Sequence, residues 1–327
     1  MTDRKAVLEN EHFRLERLAD GIYAAIGSLE GGAMGNAGIV DLGDATLVFD
    51  AFLTRAAATE LRAASEELTG RAPRYVVNSH AHGDHVWGNG AFLPEASILS
   101  SDATAAMMKA EDRASIVRED LVAELARFEK LHREATDEAV RRSIAADLHS
   151  RRWLLEELPL LVVPPTVTFE DRVWIHGTKR SVSADVVAKA HTAGDVYLRC
   201  PEESIVFLGD LGFFSEFPSY IASQGDAAAW SSTLRDFESL DVEQFVPGHG
   251  PIGGTENLRA QRAFLDAIVD VARKVTKAGG TVDDAVERMR QTDYSRWATL
   301  PLFVSSLQSA LAQVDGDNRP PRKADAG

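Results

Sequence analysis

Cysteine is almost missing from this chain: Cys200 stands alone among 327 residues. An internal disulfide, a cysteine-rich zinc site and a thiolate-ligated cluster are therefore excluded, and any metal chemistry must use histidine and carboxylate. No run of about 18 apolar residues occurs, so no membrane-spanning helix is expected. The first dozen residues, with Lys5, Glu9, Asn10 and Glu11, lack the apolar centre of a secretory signal, and a cytoplasmic protein is expected. Positive charge is also short. Thirty-five basic residues against fifty acidic ones leave a formal net charge of −15, which repels phosphate backbones and anionic lipid surfaces. Nucleic acid is not expected as the main partner, and a small molecule is. There is no Gly-x-Ser-x-Gly to mark a serine nucleophile, and the Gly31–Gly35 stretch is not followed by the Lys-Ser or Lys-Thr of a phosphate loop.

What is present is ordinary globular material, 45% apolar and 26% charged. Short alternating runs at 22–26, 37–42 and 46–49 predict an opening β-meander, with the glycines of 31–35 read as a mobile loop between two strands. Thr54 and Gly70 bracket a predicted helix over 54–68, and Tyr75-Val76-Val77 reads as a short buried strand. From 102 to 160 the texture turns charged and 3.6-periodic, which predicts a helical hairpin turning near Thr136-Asp137. It is expected to pack on the body, form a homodimer contact or act as a lid. Strand signals resume at 167–169, 173–175, 183–190, 196–199, 204–208 and 245–246, with helices at 227–238 and over 255–314. Strands and helices alternating in this way predict α/β layers in a single domain, 1–314, followed by a loose tail from Asp315 to Gly327.

The sharpest signal is His80-Ala81-His82-Gly83-Asp84-His85, directly after a predicted buried strand. Three imidazoles and a carboxylate in six residues are hard to satisfy in an apolar core and easy to satisfy in a polar pocket. Three more candidates stand at strand ends beside small residues: His191, Asp210 and His249. Neutral imidazole and carboxylate together suit zinc, iron or manganese.

This order of motifs, H-x-H-x-D-H followed by single His, Asp and His, resembles the metallo-β-lactamase superfamily. The resemblance implies an αββα sandwich with two divalent metal ions at one edge of the sheets, zinc first among the candidates. Carried over by position, His80, His82 and His191 would hold the first metal and Asp84, His85 and His249 the second, with Asp210 bridging. It implies a metal-bridging hydroxide acting on a small ester, thioester, lactone or β-lactam, with Asp84 also orienting the nucleophile. The alternatives are a phosphodiesterase or nuclease, and a mononuclear iron oxidoreductase of the persulfide dioxygenase type.

The remaining residues divide less sharply. His12, His132, His149 and His176 read as surface, Cys200 as buried and inert, Asn89 as a structural hydrogen-bonding group and Trp87 as packing under the His motif or lining a pocket. Asp50, Thr192 and Asp195 are candidates for orienting the ligating imidazoles. The aromatic stretch Phe213, Phe214, Phe217, Tyr220 is a candidate apolar substrate wall.

Overall fold

The computed structural model describes residues 6–28, 30–110, 118–160, 162–214, 221, 224–297 and 300–318. The first sheet is laid down in chain order: β1 (Ala6–Glu9), β2 (Phe13–Ala19), β3 (Ile22–Gly27), β4 (Ala37–Asp41), β5 (Thr46–Phe49), β6 (Tyr75–Val77), β7 (Ser97–Ser101) and β8 (Val167–Phe169). Its first five strands pair antiparallel and β5 through β8 pair parallel. The second sheet contains β9 (Arg172–His176), β10 (Ser181–Val187), β11 (Asp195–Cys200), β12 (Ile205–Phe213) and β13 (Gln244–His249). Its strands are antiparallel except for β12 and β13, which run parallel and are joined through α6 (Ala227–Glu238).

The period-2 pattern explains the layers. On β3, Ile22, Ala24 and Ile26 face the other sheet, where they join Val40, Leu47 and Phe49 against Val182, Val196, Leu198 and Phe207. Tyr23 and Ala25 face outward, against α1 (Arg55–Thr69). Helix α1 starts where expected, the Thr54 hydroxyl accepting the Ala57 N–H, and stops at Gly70 with φ 74°. The second sheet's outer face is covered by α6 and α7 (Thr255–Lys277), which contribute Trp230, Leu234, Leu258, Leu265 and Ile268 to a separate cluster. Helices α8 (Val282–Met289) and α9 (Pro301–Asn318) complete that layer. Both sheets are thus sandwiched between helices, the αββα arrangement.

The insertion comprises α3 (Asp102–Ala110), α4 (Arg118–Glu134) and α5 (Glu138–Glu157). The last two form the expected hairpin, and α3 is an added element. Phe128, Val140, Ile144 and Leu148 sit in the α6–α7 cluster, whereas Leu121 and Leu154 pack with Leu53, Met34 and Trp87 beside the first sheet. The hairpin therefore rests on its own chain at both sheets.

Several expectations need correcting. The strand expected over 183–190 ends at Val187, where the chain turns and Ala190 N–H bonds to Thr192 O. The glycine loop is not loose: Gly31, Gly32, Ala33 and Gly35 are all buried. A Cβ on Gly31 would lie 2.4 Å from Glu11 O, and one on Gly32 2.5 Å from Thr54 Oγ1, so these glycines allow close approach of backbones. Helix α9 runs to Asn318, which shortens the expected tail; 319–327 lie outside the described residues. Among the described residues no helix is long and apolar enough to cross a membrane.

Gly38 marks a close contact between the sheets. A Cβ there would come within 2.5 Å of the fully buried Phe207 ring. Gly38→Ala should therefore cost about 1–3 kcal/mol of overpacking, read as a lower denaturation midpoint at unchanged m-value. An unshifted midpoint would show that the sheets can separate at this point.

Candidate metal centre

The seven predicted residues come together at one edge of the sandwich. His80 and His82 leave the end of β6, and Asp84 and His85 begin α2 (Gly83–Val86). Asp210 lies within β12, His249 ends β13 and His191 sits in the turn between β10 and β11. The sheets are stitched together at this edge by hydrogen bonds to backbone carbonyls. Val196 N–H donates to Ser79 O at 2.6 Å, and the buried Asn36 amide donates to Pro247 O and Gly250 O, both at 2.9 Å.

Asp210 divides the cluster in two. Its Oδ1 lies 3.0 Å from His85 Nε2 and 3.4 Å from His249 Nε2, and its Oδ2 lies 3.3 Å from His191 Nε2 and 3.6 Å from His80 Nε2. Asp84 Oδ2 stands 3.1 Å from His249 Nε2 and 3.2 Å from His85 Nε2. His82 Nδ1 and His191 Nε2 approach to 3.0 Å. Two groups with metal-ligand spacing result: His80, His82, His191 and Asp210, and Asp84, His85 and His249. Three buried atoms, His80 Nε2, His85 Nε2 and Asp210 Oδ1, have no hydrogen-bond partner among the described residues. Buried polar atoms of this kind call for an explanation, and cations between them supply one. The donor set, five imidazoles and two carboxylates, fits divalent metal.

Asp50 sets the orientation of two of these rings. Fully buried at the end of β5, it accepts from Ser79 N–H at 2.7 Å, from the Ser79 hydroxyl at 2.8 Å and from His85 Nδ1 at 2.8 Å. The Ser79 hydroxyl spends its proton on Asp50, so it must accept from His80 Nδ1, 2.9 Å away. His80 thus carries its proton on Nδ1 and turns a free Nε2 lone pair inward; the Nδ1 bond to Asp50 turns His85 Nε2 the same way. Asp50 adopts φ 61°, an uncommon conformation held by these bonds. Asp195 instead braces the turn carrying His191, accepting the Thr192 N–H and hydroxyl; burial pushes its carboxyl up to about 7 against those bonds. Asn89 pairs with Asn78 through reciprocal amide bonds, and the Trp87 ring lies under Gly83. Phe213 stacks on His249 at 4.9 Å and 19°; Phe214 of the expected aromatic wall is instead buried in the α6–α7 cluster, and Phe217 and Tyr220 fall outside the described residues.

Ser79 and Asn36 carried no signal of their own in the sequence, and His12 was misread as surface. His12 is buried, and its Nδ1 accepts the Gly32 N–H at 3.1 Å. Together with Glu11 and Glu60 it has metal-ligand spacing. That group does not suit a metal, because Nδ1 acting as acceptor leaves the neutral ring's proton on Nε2, the only nitrogen left to bind.

The imidazoles of the cluster differ in charge. Burial holds the His80 imidazole well below its ordinary value, so it is neutral. For His85, burial acts in the same direction, but Asp210, Asp84 and Asp50 outweigh it and raise the ring well above the usual range. His249 is raised to about 9 in the same way, burial being overcome by Asp210 and Asp84. Both carboxylates, Asp84 and Asp210, resist burial through the surrounding imidazoles and stay well below the usual range. Without metal, protons on His85 and His249 balance these carboxylates.

Comparison with known proteins follows the same lines. The profile described as "Metallo-beta-lactamase superfamily" matches residues 31–249. No curated protein matches the chain. Among solved structures, it is similar to a metallo-beta-lactamase from Pontibacter korlensis, with 14% identity and a TM-score of 0.54 over 81% of this chain and 99% of that one. A metallo-beta-lactamase from Erythrobacter litoralis gives 16% identity and 0.55 over 79% and 98%. The stereoselective inverting sec-alkylsulfatase Pisa1 from a Pseudomonas species gives 14% identity and 0.66, over 91% of this chain but 50% of that longer one.

The charge asymmetry has a measurable result. Metal entering the Asp84, His85 and His249 group must displace protons at any pH below about 9, whereas His80 has none to lose. As pH falls from 8 to 6, divalent-metal affinity at this group should fall faster than at the other. Calorimetric titration in buffers of different ionisation enthalpy should show the larger proton release for the same group. Equal proton release at both groups would contradict the assignment.

Proposed function

The chain belongs to the metallo-β-lactamase superfamily, and from that premise we propose that it is a hydrolase using two divalent metal ions, zinc first, on a small ester, thioester, lactone or β-lactam. The observation that carries this reading is the Asp210 carboxylate, whose two oxygens face different imidazole groups. His80, His82 and His191 would hold one ion, Asp84, His85 and His249 the other, and Asp210 both. Bound there, such ions supply Lewis-acid polarisation of an acyl oxygen and a water acidic enough to react near neutral pH.

The chain's own groups supply the rest. Asp50 and Ser79 keep two imidazoles in the tautomer that presents Nε2. Asp84, 13% exposed against 4% for Asp210, is the carboxylate nearer solvent and is suited to orient the attacking water. Phe213 forms an apolar face beside His249 against which an acyl group can lie. Cys200 takes no part: it is fully buried in the core, and burial pushes its thiol far up.

Metal analysis of the purified protein should find close to two equivalents, with His82→Ala and His249→Ala each weakening a different one. Asp210→Asn should reduce turnover by more than the ~10–100-fold typical of losing an outer partner, while Cys200→Ala should leave turnover unchanged. Substrate class is read from a panel of lactam, lactone, thioester, phosphodiester and secondary alkyl sulfate compounds. The sulfate is included because the fold match to the sulfatase spans more of this chain than the β-lactamase matches do. One equivalent of iron with oxygen consumption on a persulfide would overturn the hydrolase reading.

A further inference from the structure

Helix α5 grips the glycine loop at 30–36 through Trp153 and Leu154. The Trp153 indole N–H donates to Glu30 O at 3.1 Å, and the same ring meets His12 edge-on at 5.0 Å. His12 in turn accepts the Gly32 N–H at 3.1 Å, and its own carbonyl accepts Ser28 N–H at 2.8 Å. Met34 of this loop packs in the cluster that holds Leu121 and Leu154 of the insertion. The end of the loop touches the proposed second-metal residues. A Cβ on Gly35 would lie 3.0 Å from His85 Cε1 and 3.2 Å from Asp84 O. Asn36 N–H donates to Gly248 O at 2.7 Å, directly before His249. One buried loop therefore backs Asp84 and His85 and holds the His249 turn, and the insertion clamps it.

We propose that His12 and Trp153 are positioning residues through which helix α5 sets the geometry of the Asp84, His85 and His249 group, leaving the His80, His82 and His191 group untouched. This rests on the two-ion reading above. Its physical basis is that close-packed groups transmit small displacements. With no side chain on Gly32 or Gly35 to take up slack, a shift of the loop passes directly to the His85 ring. Losing a group that orients a ligand typically weakens metal binding by about 10–100-fold.

The test is stepwise zinc titration of the full chain against a chromophoric chelator. The second-group equivalent is identified as the one lost in His249→Ala. His12→Ala and Trp153→Ala should each weaken that equivalent by about 10-fold or more and leave the other within about twofold. His12→Asn, whose amide oxygen can replace Nδ1 as acceptor, should restore most of the loss. Arg152→Ala, on the exposed face of α5, should change neither. Amide hydrogen exchange of the metal-free protein gives a second readout: 30–36 should exchange faster in both alanine variants, with β5 and α1 unchanged. Two equivalents weakened in parallel, or neither weakened, would overturn the proposal while leaving the two-ion reading intact. A parent protein that takes up one equivalent would overturn that reading. Exchange then decides the clamp alone, and unchanged exchange at 30–36 would overturn it.

Discussion

The Asp50 carboxylate is the point on which the centre depends. It lies where β5 ends, out of contact with water, and satisfies its oxygens on Ser79 and His85. Through the Ser79 hydroxyl it also governs His80. A single buried anion thereby determines which nitrogen of two rings faces the cluster. Burying it is costly unless every acceptor site is used. The parallel pairing of β5 with β6 brings Val77 and the following His motif beside it, so sheet register and ring orientation are one constraint.

Charge balance follows from the same arrangement. Asp84 and Asp210 are held ionised among imidazoles, and His85 and His249 carry protons in the absence of metal. Charge at the polar edge is thus balanced before any ion enters, although His80 Nε2, His85 Nε2 and Asp210 Oδ1 still lack hydrogen-bond partners among the described residues. Replacement of these two protons by one divalent ion would keep the balance while freeing the Nε2 lone pairs. An acidic chain with net charge −15 adds a long-range field that favours cations.

The insertion joins the two sheets' surroundings at this edge. Val140, Ile144 and Leu148 of α5 pack among the helices behind the second sheet, and Leu154 packs beside the first. Glu157 accepts the N–H groups of Arg55 and Ala56, capping α1 from outside it. A helix anchored at both sheets and at the start of α1 has little freedom to swing as a whole. It meets the loop behind the centre at Glu30, His12 and Met34.

The local pattern was enough to single out seven residues that the fold brings together, because His80 through His85 cluster within one loop and His191, Asp210 and His249 each sit beside small residues at strand ends. It was also enough for α1, whose cap and stop are local chemistry, and for the alternating strands whose faces are set by period 2. β1, β2 and β7 escaped notice: β1 and β2 have mixed burial, and β7 is a short strand whose identity depends on its parallel neighbours. The tertiary structure alone decided that Asp210 presents one oxygen to each imidazole group, since that depends on how two sheets approach. It alone brought His12 into the interior, 20 residues away in sequence from the Gly32 amide it accepts, and made the glycine loop a tightly packed backing for His85. Glycine in a sequence signals permitted conformations and permitted proximity equally, and only the packing around it shows which one the protein uses.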